Sequence, residues 1–410
     1  VTTAPPEARR TGFRDVVGVA EFRSMWFAEI LSVCGDQLAR VALSIIVYGR
    51  TGSAVLTGLT YALTFAPSLI GGITLTGLAD RFPRRNVMAT IDAGRCLLVC
   101  AVALPGMPLW LMCVLVGAVS LLNPPVKAAQ LALLPQVLEG DRFPVGMALR
   151  NITTQSAQLA GFAGGGLLLV VVDPRVALLL DGLTFAASAL LIRFGLADRP
   201  AAAGRRRTTL GSLRHGGRLA FAHPATRTLV LFTWVAGLLP VYEGIAAPYV
   251  SATGGGSTAI GLLLAADPLG SVIGAFCYAR WVPARLRPRL IGPITVLSAV
   301  PLLFCFLHPG PVPSMILFVV TGGFGTVGLM QATASLTIAV PDEHRGQVMG
   351  LSNSGLTAVM GLAPLLGGIL ADRIGPTATV GAFGLAGLLV AVPLALAWRH
   401  QPPTPTIPPG

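Results

Sequence analysis

The chain has 410 residues, of which 53% are hydrophobic and only 11% charged, and its formal net charge is +12. A soluble domain carries about 25% charged residues, so an array of water-soluble domains of this length is excluded. The apolar residues fall in blocks such as 97–119, 176–191 and 380–397. Blocks near the ~20 residues that cross ~30 Å of hydrocarbon read as transmembrane helices.

Twelve spans are predicted, at about 22–48, 54–78, 86–104, 108–134, 144–172, 175–196, 227–250, 257–280, 289–307, 312–339, 345–371 and 376–398. The fold class is therefore all-α and polytopic, with bundles at 22–196 and 227–398. Residues 1–21 form an N-terminal tail without a secretory signal core, 197–226 a basic linker, and 399–410 a Pro-rich tail. An ionisable side chain at bilayer depth costs at least ~2.5 kcal/mol, so it should face the protein interior or water.

In the first span Glu29, Asp36 and Arg40 stand at i, i+7 and i+11, one stripe of a helix. Asp36 and Arg40 are expected to neutralise each other. A carboxylate here either alternates between proton, substrate and Arg40 or forms a permanent ion pair. The second span ends in Gly77-Leu78-Ala79-Asp80-Arg81-Phe82-Pro83-Arg84-Arg85, a latch in which Asp80 holds neighbouring arginines or a helix N-terminus. The fourth span aligns Asn123, Lys127 and Gln130, and the fifth Asn151, Gln155 and Gln158, as cavity lining or interhelical glue. Lys127, the only lysine, either attracts an anionic substrate or answers Asp36 or Asp92. Asp181, Thr184 and Ser188 form a structural set in the sixth span. Glu243 lies between Pro240 and Pro248, which predicts a broken helix beside a cavity; the alternative is an acid solvated among headgroups. Asp267 beside Pro268 is a second candidate of this kind.

Arginine asymmetry gives the orientation. With both termini in the cytoplasm, that side receives Arg9, Arg10, Arg14, Arg23, Arg81, Arg84, Arg85, the 197–226 cluster, Arg280, Arg285, Arg287 and Arg289. The opposite side receives Arg50, Arg175 and Arg373. The basic linker thus reads as an orientation signal, with an amphipathic helix expected on the headgroups, and not as a nucleic-acid contact. The halves also repeat. At an offset of 202, Met147 matches Met349, Asn151 matches Asn353, Gly166 matches Gly368 and Pro174 matches Pro376; at 203, Gly58 matches Gly261 and Arg84 matches Arg287. Two like-oriented bundles of this kind enclose a site near the midplane and work by rocking.

The 77–85 loop resembles the signature of the major facilitator superfamily, Gly-x-Leu-Ala-Asp-Arg-x-Gly-Arg-Arg, with Pro83 in place of the second glycine. Asp92 and Arg95 fit the same pattern. The stretches 35–43, 123–135 and 180–185 resemble the branch of drug–proton antiporters that holds enterobactin and macrolide exporters. Where such antiporters carry Gly-Pro-x-x-Gly-Gly in the fifth span, this chain has Phe162 before Gly165 and Gly166; Pro364, Gly367 and Gly368 match better in the eleventh. The resemblance implies two six-helix bundles, a motif comprising Gly77, Asp80, Arg81, Arg84, Arg85, Asp92 and Arg95 that latches the outward-facing state, and transport by alternating access.

The expected function is proton-coupled export of a small amphipathic compound through the cell membrane, with the lipid bilayer and protons as partners, no cofactor, and a monomer as the working unit. Proton-coupling candidates are Asp36, Glu29, Arg40, Glu243 and Asp267; cavity candidates are Asn123, Lys127, Gln130, Asn151, Gln155, Gln158 and Asn353. No phosphate loop accompanies Lys127, and the five histidines are too scattered for a zinc site, so an ATP-driven mechanism within this chain and a metalloenzyme are both disfavoured. The six cysteines lie in apolar segments and read as reduced core residues. A nutrient importer of the same fold is the main alternative, which the 7% aromatic content disfavours. A non-transporting receptor or scaffold is the second, and the short extramembrane segments disfavour it.

Overall fold

A computed structural model describes residues 12–200 and 210–399. The helices are α1 (Ala20–Thr51), α2 (Ala54–Ala62, continued by Ala66–Thr74), α3 (Arg84–Val102), α4 (Leu109–Leu121, continued by Asn123–Val137), α5 (Arg142–Leu168) and α6 (Pro174–Gly195). They are followed by α7 (Pro224–Leu238, with short continuations Val241–Gly244 and Ala246–Ala252), α8 (Ser257–Trp281), α9 (Arg287–Leu303, ending in a 3₁₀ turn), α10 (Pro311–Ala339), α11 (Asp342–Ile374) and α12 (Pro376–Arg399). Their boundaries follow from local chemistry. Gly52 ends α1 in the left-handed conformation, φ 61°. Proline occupies the first turn of α6, α7 and α10, where its missing N–H has no intrahelical partner to lose.

Among the described residues, ten helices are long and apolar enough to span a membrane. The difference from the twelve expected spans is one of composition. α3 has the length but carries Arg84, Arg85, Asp92 and Arg95, and α5 carries Arg142, Arg150 and a run of amides and hydroxyls. Both occupy their expected places in the bundle, with α3 packed on α4 and α6, and α5 on α1.

The packing repeats as the sequence does. α6 packs on α1 and α3, and α12 on α7 and α9; α1 packs on α5, and α7 on α11. Two antiparallel seams join the halves, α2 with α11 and α5 with α8, and these are repeat-related pairs. We call the end of the bundle where the linker emerges the linker end, and the opposite one the distal end. At the distal end both halves contribute to one hydrophobic core, which includes Val41, Met112, Phe185, Tyr242, Leu264 and Phe318. At the linker end this core divides. Phe22, Met25, Met88 and Leu133 form a cluster in the first half, and Leu229, Phe232, Ile291 and Leu336 a separate one in the second. One shared core and two separate ones describe a bundle closed distally and parted towards the linker.

The start of the linker is tied to the first half: Arg85 pairs with Asp198 at 2.7 Å and Arg199 with Glu21 at 2.7 Å. The expected linker helix is present at Leu210–Ala222, and it packs against α11. Arg205, Arg206, Arg207, Arg9, Arg10 and the Pro-rich tail lie outside the described residues.

Candidate transport site

The buried charges of the first half form two clusters along α1. In the linker-side cluster, Arg150 of α5 grips Glu29 through both guanidinium arms, Nε to Oε2 at 2.5 Å and Nη2 to Oε1 at 2.9 Å. Gln130 of α4 closes the triangle, donating to Glu29 at 3.2 Å and accepting from Arg150 at 2.8 Å. A bidentate pair with a bridging amide satisfies every group it buries, which is what makes such a cluster tolerable in a low-dielectric interior.

One to two turns further along α1, Arg95 of α3 lies between two acids. Its Nη2 is 3.3 Å from Asp36, and its Nη1 is 3.6 Å from Asp92. Ser188 of α6 donates to Asp92 at 2.6 Å, and the guanidinium lies 4.0 Å over the Phe185 ring. Two carboxylates thus share one cation, and one of them is accessible: the Asp36 side chain is 27% exposed and that of Asp92 only 3%. Asp36, Arg95 and Asn123 border two adjoining cavities. One also touches Arg40, Thr64 and Asp181, and the other Glu29, Lys127 and Gln130.

The expected Asp36–Arg40 neutralisation is not formed. Arg40 donates to Gln37 at 3.1 Å and lies 4.6 Å over the Phe65 ring and 5.7 Å from that of Tyr61. The aromatic faces of α2 offer Arg40 a cation–π seat, while the buried Arg95 takes the carboxylate. Lys127 forms no direct ion pair with Asp36 or Asp92 among the described residues; it lines the cavity that also holds Glu29 and Asp36. Ser188 bonds Asp92 and Thr184 bonds Asp181.

The acids of the second half are held differently. α7 stops at Leu238, resumes for Val241–Gly244 and breaks again at Ile245, as its prolines predict. This turns Glu243 inward, to 9% exposure, where Tyr61 of α2 donates to it across the seam at 2.5 Å. The alternative of an acid solvated among headgroups is thereby overturned. Asp267 accepts from Tyr242 at 2.9 Å, and the Tyr242 ring stacks on Phe318 with centroids 3.9 Å apart.

The amide stripe of α5 continues a contact face. Phe162 and Gly166 meet Gly261 of α8, and Gln158, Gln155 and Asn151 follow at helical spacing towards the linker end. Burial falls steadily along it, from buried Gly166 and Phe162, through half-buried Gln158 and Gln155, to exposed Asn151. α11 behaves alike: Gly368, Pro364 and Gly361 are buried against α2, Thr357 is half-buried and Asn353 exposed. The two repeat-related asparagines therefore flank the parting between the halves.

The chain matches the Major Facilitator Superfamily family model over residues 25–245 and again over 242–410. The chain belongs to this superfamily. It is a multi-pass membrane transporter of small molecules, driven as a secondary transporter. Similar proteins include the multidrug efflux pump Tap of Mycolicibacterium fortuitum, 25% identical over 387 residues that cover 89% of this chain and 93% of Tap. The enterobactin exporter EntS of Escherichia coli O1:K1 / APEC is 28% identical over 407 residues, covering 94% of this chain and 95% of EntS. The fold is shared with the nucleoside transporter NupG (TM-score 0.76, 12% identity, 93% of this chain and 100% of that one). It is shared as well with a bacterial homolog of the human lysosomal transporter Spinster in an inward-facing, occupied conformation (TM-score 0.74, 14% identity, 93% and 96%).

In this transporter the motif at 77–85 forms a short helix, Leu78–Arg81, and Pro83 immediately precedes α3. Proline suits a position just before a helix, so the turn survives the missing glycine. Aligned on Leu78-Ala79-Asp80-Arg81, Gly77 falls at the variable second position of the motif with Thr76 at the first, and it has ordinary helical angles, φ −62° and ψ −13°. Arg84 donates to the Ala132 carbonyl at 3.0 Å, and Arg85 is spent on Asp198 and Leu196. The side chains of Asp80 and Arg81 make no hydrogen bond or ion pair among the described residues, so the latch contact expected of this loop is not formed in this structure.

Arg150, Tyr61 and Tyr242 belong to the site although the motifs do not point to them. Arg150 had a signal: it is an arginine inside a predicted span, subject to the same insertion cost as Glu29. The tyrosines had none, since their partners lie on other helices.

Proposed function

We propose that this transporter is a proton-driven exporter of small amphipathic compounds, working as a monomer in the cell membrane with both termini and the linker end in the cytoplasm. The observation that carries the reading is the accessible Asp36 sharing Arg95 with the buried Asp92. With both acids ionised the trio carries one uncompensated negative charge, and a proton taken up at Asp36 cancels it. A titration that changes the charge of a site between helices of one half biases how that half packs. Glu243 is the second proton candidate, because its tyrosine partner lies on the opposite half and the pair exists only while the distal end is closed.

The parted linker end supplies the entrance. Asn123, Lys127, Asn151, Gln155, Gln158 and Asn353 offer polar contacts to a substrate drawn from the cytoplasm or inner leaflet. The arginine distribution supports the orientation, and the efflux pump and exporter among its relatives support the direction. Asp80 engages when the linker end closes, holding the outward-facing state.

The test is counter-transport in inverted vesicles loaded with candidate drugs and siderophore-like metabolites. Substrate accumulation that collapses with a protonophore supports the reading, and accumulation indifferent to it removes proton coupling. Asp36→Asn should abolish proton-driven accumulation at normal expression; full activity would remove Asp36 from the mechanism.

A further inference from the structure

The four residues Leu-Ala-Asp-Arg occur twice in this chain. They stand at 78–81, after α2, and again at 370–373, at the distal end of α11. The second copy has a visible occupation. Asp372 reaches across the seam to the start of α2, where its Oδ1 accepts from the Ala54 N–H at 2.8 Å, and its Oδ2 from the Ser53 hydroxyl at 3.0 Å and the Val55 N–H at 3.3 Å. The first N–H groups of a helix have no partner of their own and carry its positive dipole end, so a carboxylate there is a favourable cap. This cap comes from the other half of the molecule.

The backbone approach beneath it is close. A side chain at Gly58 would collide with the Pro364 carbonyl, and one at Gly368 with the Ala54 carbonyl at 2.5 Å, so the two helices touch where the cap is made. Repeat symmetry does not explain Asp372: at the offset of 202 its counterpart is Val170, and the matching seam, α5 with α8, is made by Gly166 against Gly261 without an acid.

We propose that Asp372 is a distal latch, a gating residue that holds the outward end of the α2–α11 seam shut by capping α2, and that it alternates with Asp80 at the linker end. Each acid closes one end of the same seam. Asp372 is engaged and Asp80 free in the conformation described here, and the opposite holds when the halves rock. The glycine-lined α5–α8 seam serves as the pivot. This inference rests on the rocking motion assumed in the proposed function.

Spin-label distances separate the two ideas. One pair of labels, Thr51→Cys with Arg373→Cys, reads the distal end, and a second, Thr74→Cys with Gly346→Cys, reads the linker end, in a background whose native cysteines are replaced by alanine. In lipid nanodiscs the unmodified seam is expected to show a short and a long distance at each end, exchanging reciprocally. Asp372→Asn should raise the long-to-short ratio at the distal end about fivefold, the usual worth of a helix cap. Ser53→Ala, a milder change, should shift it in the same direction by less. Asp80→Asn should shift it the opposite way, and the double variant should return to within about twofold of the starting ratio. An unchanged distal ratio in both Asp372→Asn and Ser53→Ala overturns the distal latch. A shift with Asp372→Asn but none with Asp80→Asn leaves it standing and removes its linker-end counterpart. A single distance at both ends in every variant removes the rocking motion itself, and the latch with it.

Discussion

The two halves share a packing plan but neutralise their buried acids by different means. In the first half, arginines hold three of the four, Glu29 by Arg150 and Asp36 and Asp92 by Arg95, while Asp181 accepts from Thr184 of its own helix. In the second half, among the described residues, Glu243 and Asp267 have no base within ion-pair distance, and tyrosines hold them, Glu243 bonded to Tyr61 and Asp267 to Tyr242. The difference has mechanical meaning. A buried ion pair tolerates no loss of a partner, because the survivor is a stranded charge. A carboxyl held by a phenol can gain or lose a proton and keep a hydrogen bond in either state. The first half is therefore a fixed electrostatic frame with one accessible carboxylate, Asp36, while the second half, including the broken α7, can change its bonding as the seam opens.

The largest expected effect breaks the frame. Arg150→Met strands Glu29 and should cost about 3–5 kcal/mol, seen as loss of folded protein in thermal unfolding of the purified transporter. Glu29→Met combined with Arg150→Met should recover most of that loss, since an apolar pair of similar volume replaces the ions. A silent single variant would mean that the first half is not held by its ion pairs, and the contrast between the halves would fail.

A middle-sized effect separates the two acids on Arg95. Asp92→Asn removes a charge that is wholly buried and accepts from Ser188, and should cost about 1.5–3 kcal/mol. Asp36→Asn leaves Arg95 still neutralised by Asp92 and should cost less than half as much, while abolishing proton-driven accumulation. Equal costs would show that the two acids are interchangeable, and that accessibility does not distinguish them.

Much of the frame was legible in the sequence. Apolar blocks and turn prolines place the helices to within a few residues, because span length is dictated by bilayer thickness and helix starts by orphan N–H groups. The repeat gives the pairing of α5 with α11. The candidate acids are found from insertion cost alone. Their partners are not, because Arg95 lies 59 residues from Asp36, Arg150 121 from Glu29, and Tyr61 182 from Glu243. Nearness along a helix favoured Arg40 for Asp36, and only the neighbouring helices decide against it. Asp372 was legible in principle, since its four-residue surroundings repeat those of Asp80; what it caps follows only from the seam.

The smallest expected effect sharpens the contrast most. Tyr242→Phe and Tyr61→Phe each delete one hydroxyl that donates to one acid, and each should cost about 1 kcal/mol of stability. Tyr242 keeps its stack on Phe318 and its partner Asp267 within the same half, so the balance between open and closed distal ends should not move. Tyr61 bonds across the seam to Glu243, so the same small loss falls on the closed state alone and should shift that balance about fivefold towards opening. Distal spin-label distances in the two variants, compared at matched unfolding temperatures, distinguish them. A shift in both would mean that the second half moves as rigidly as the first. A shift in Tyr61→Phe alone would locate a moving bond at Glu243, the buried carboxyl whose tyrosine partner belongs to the other half.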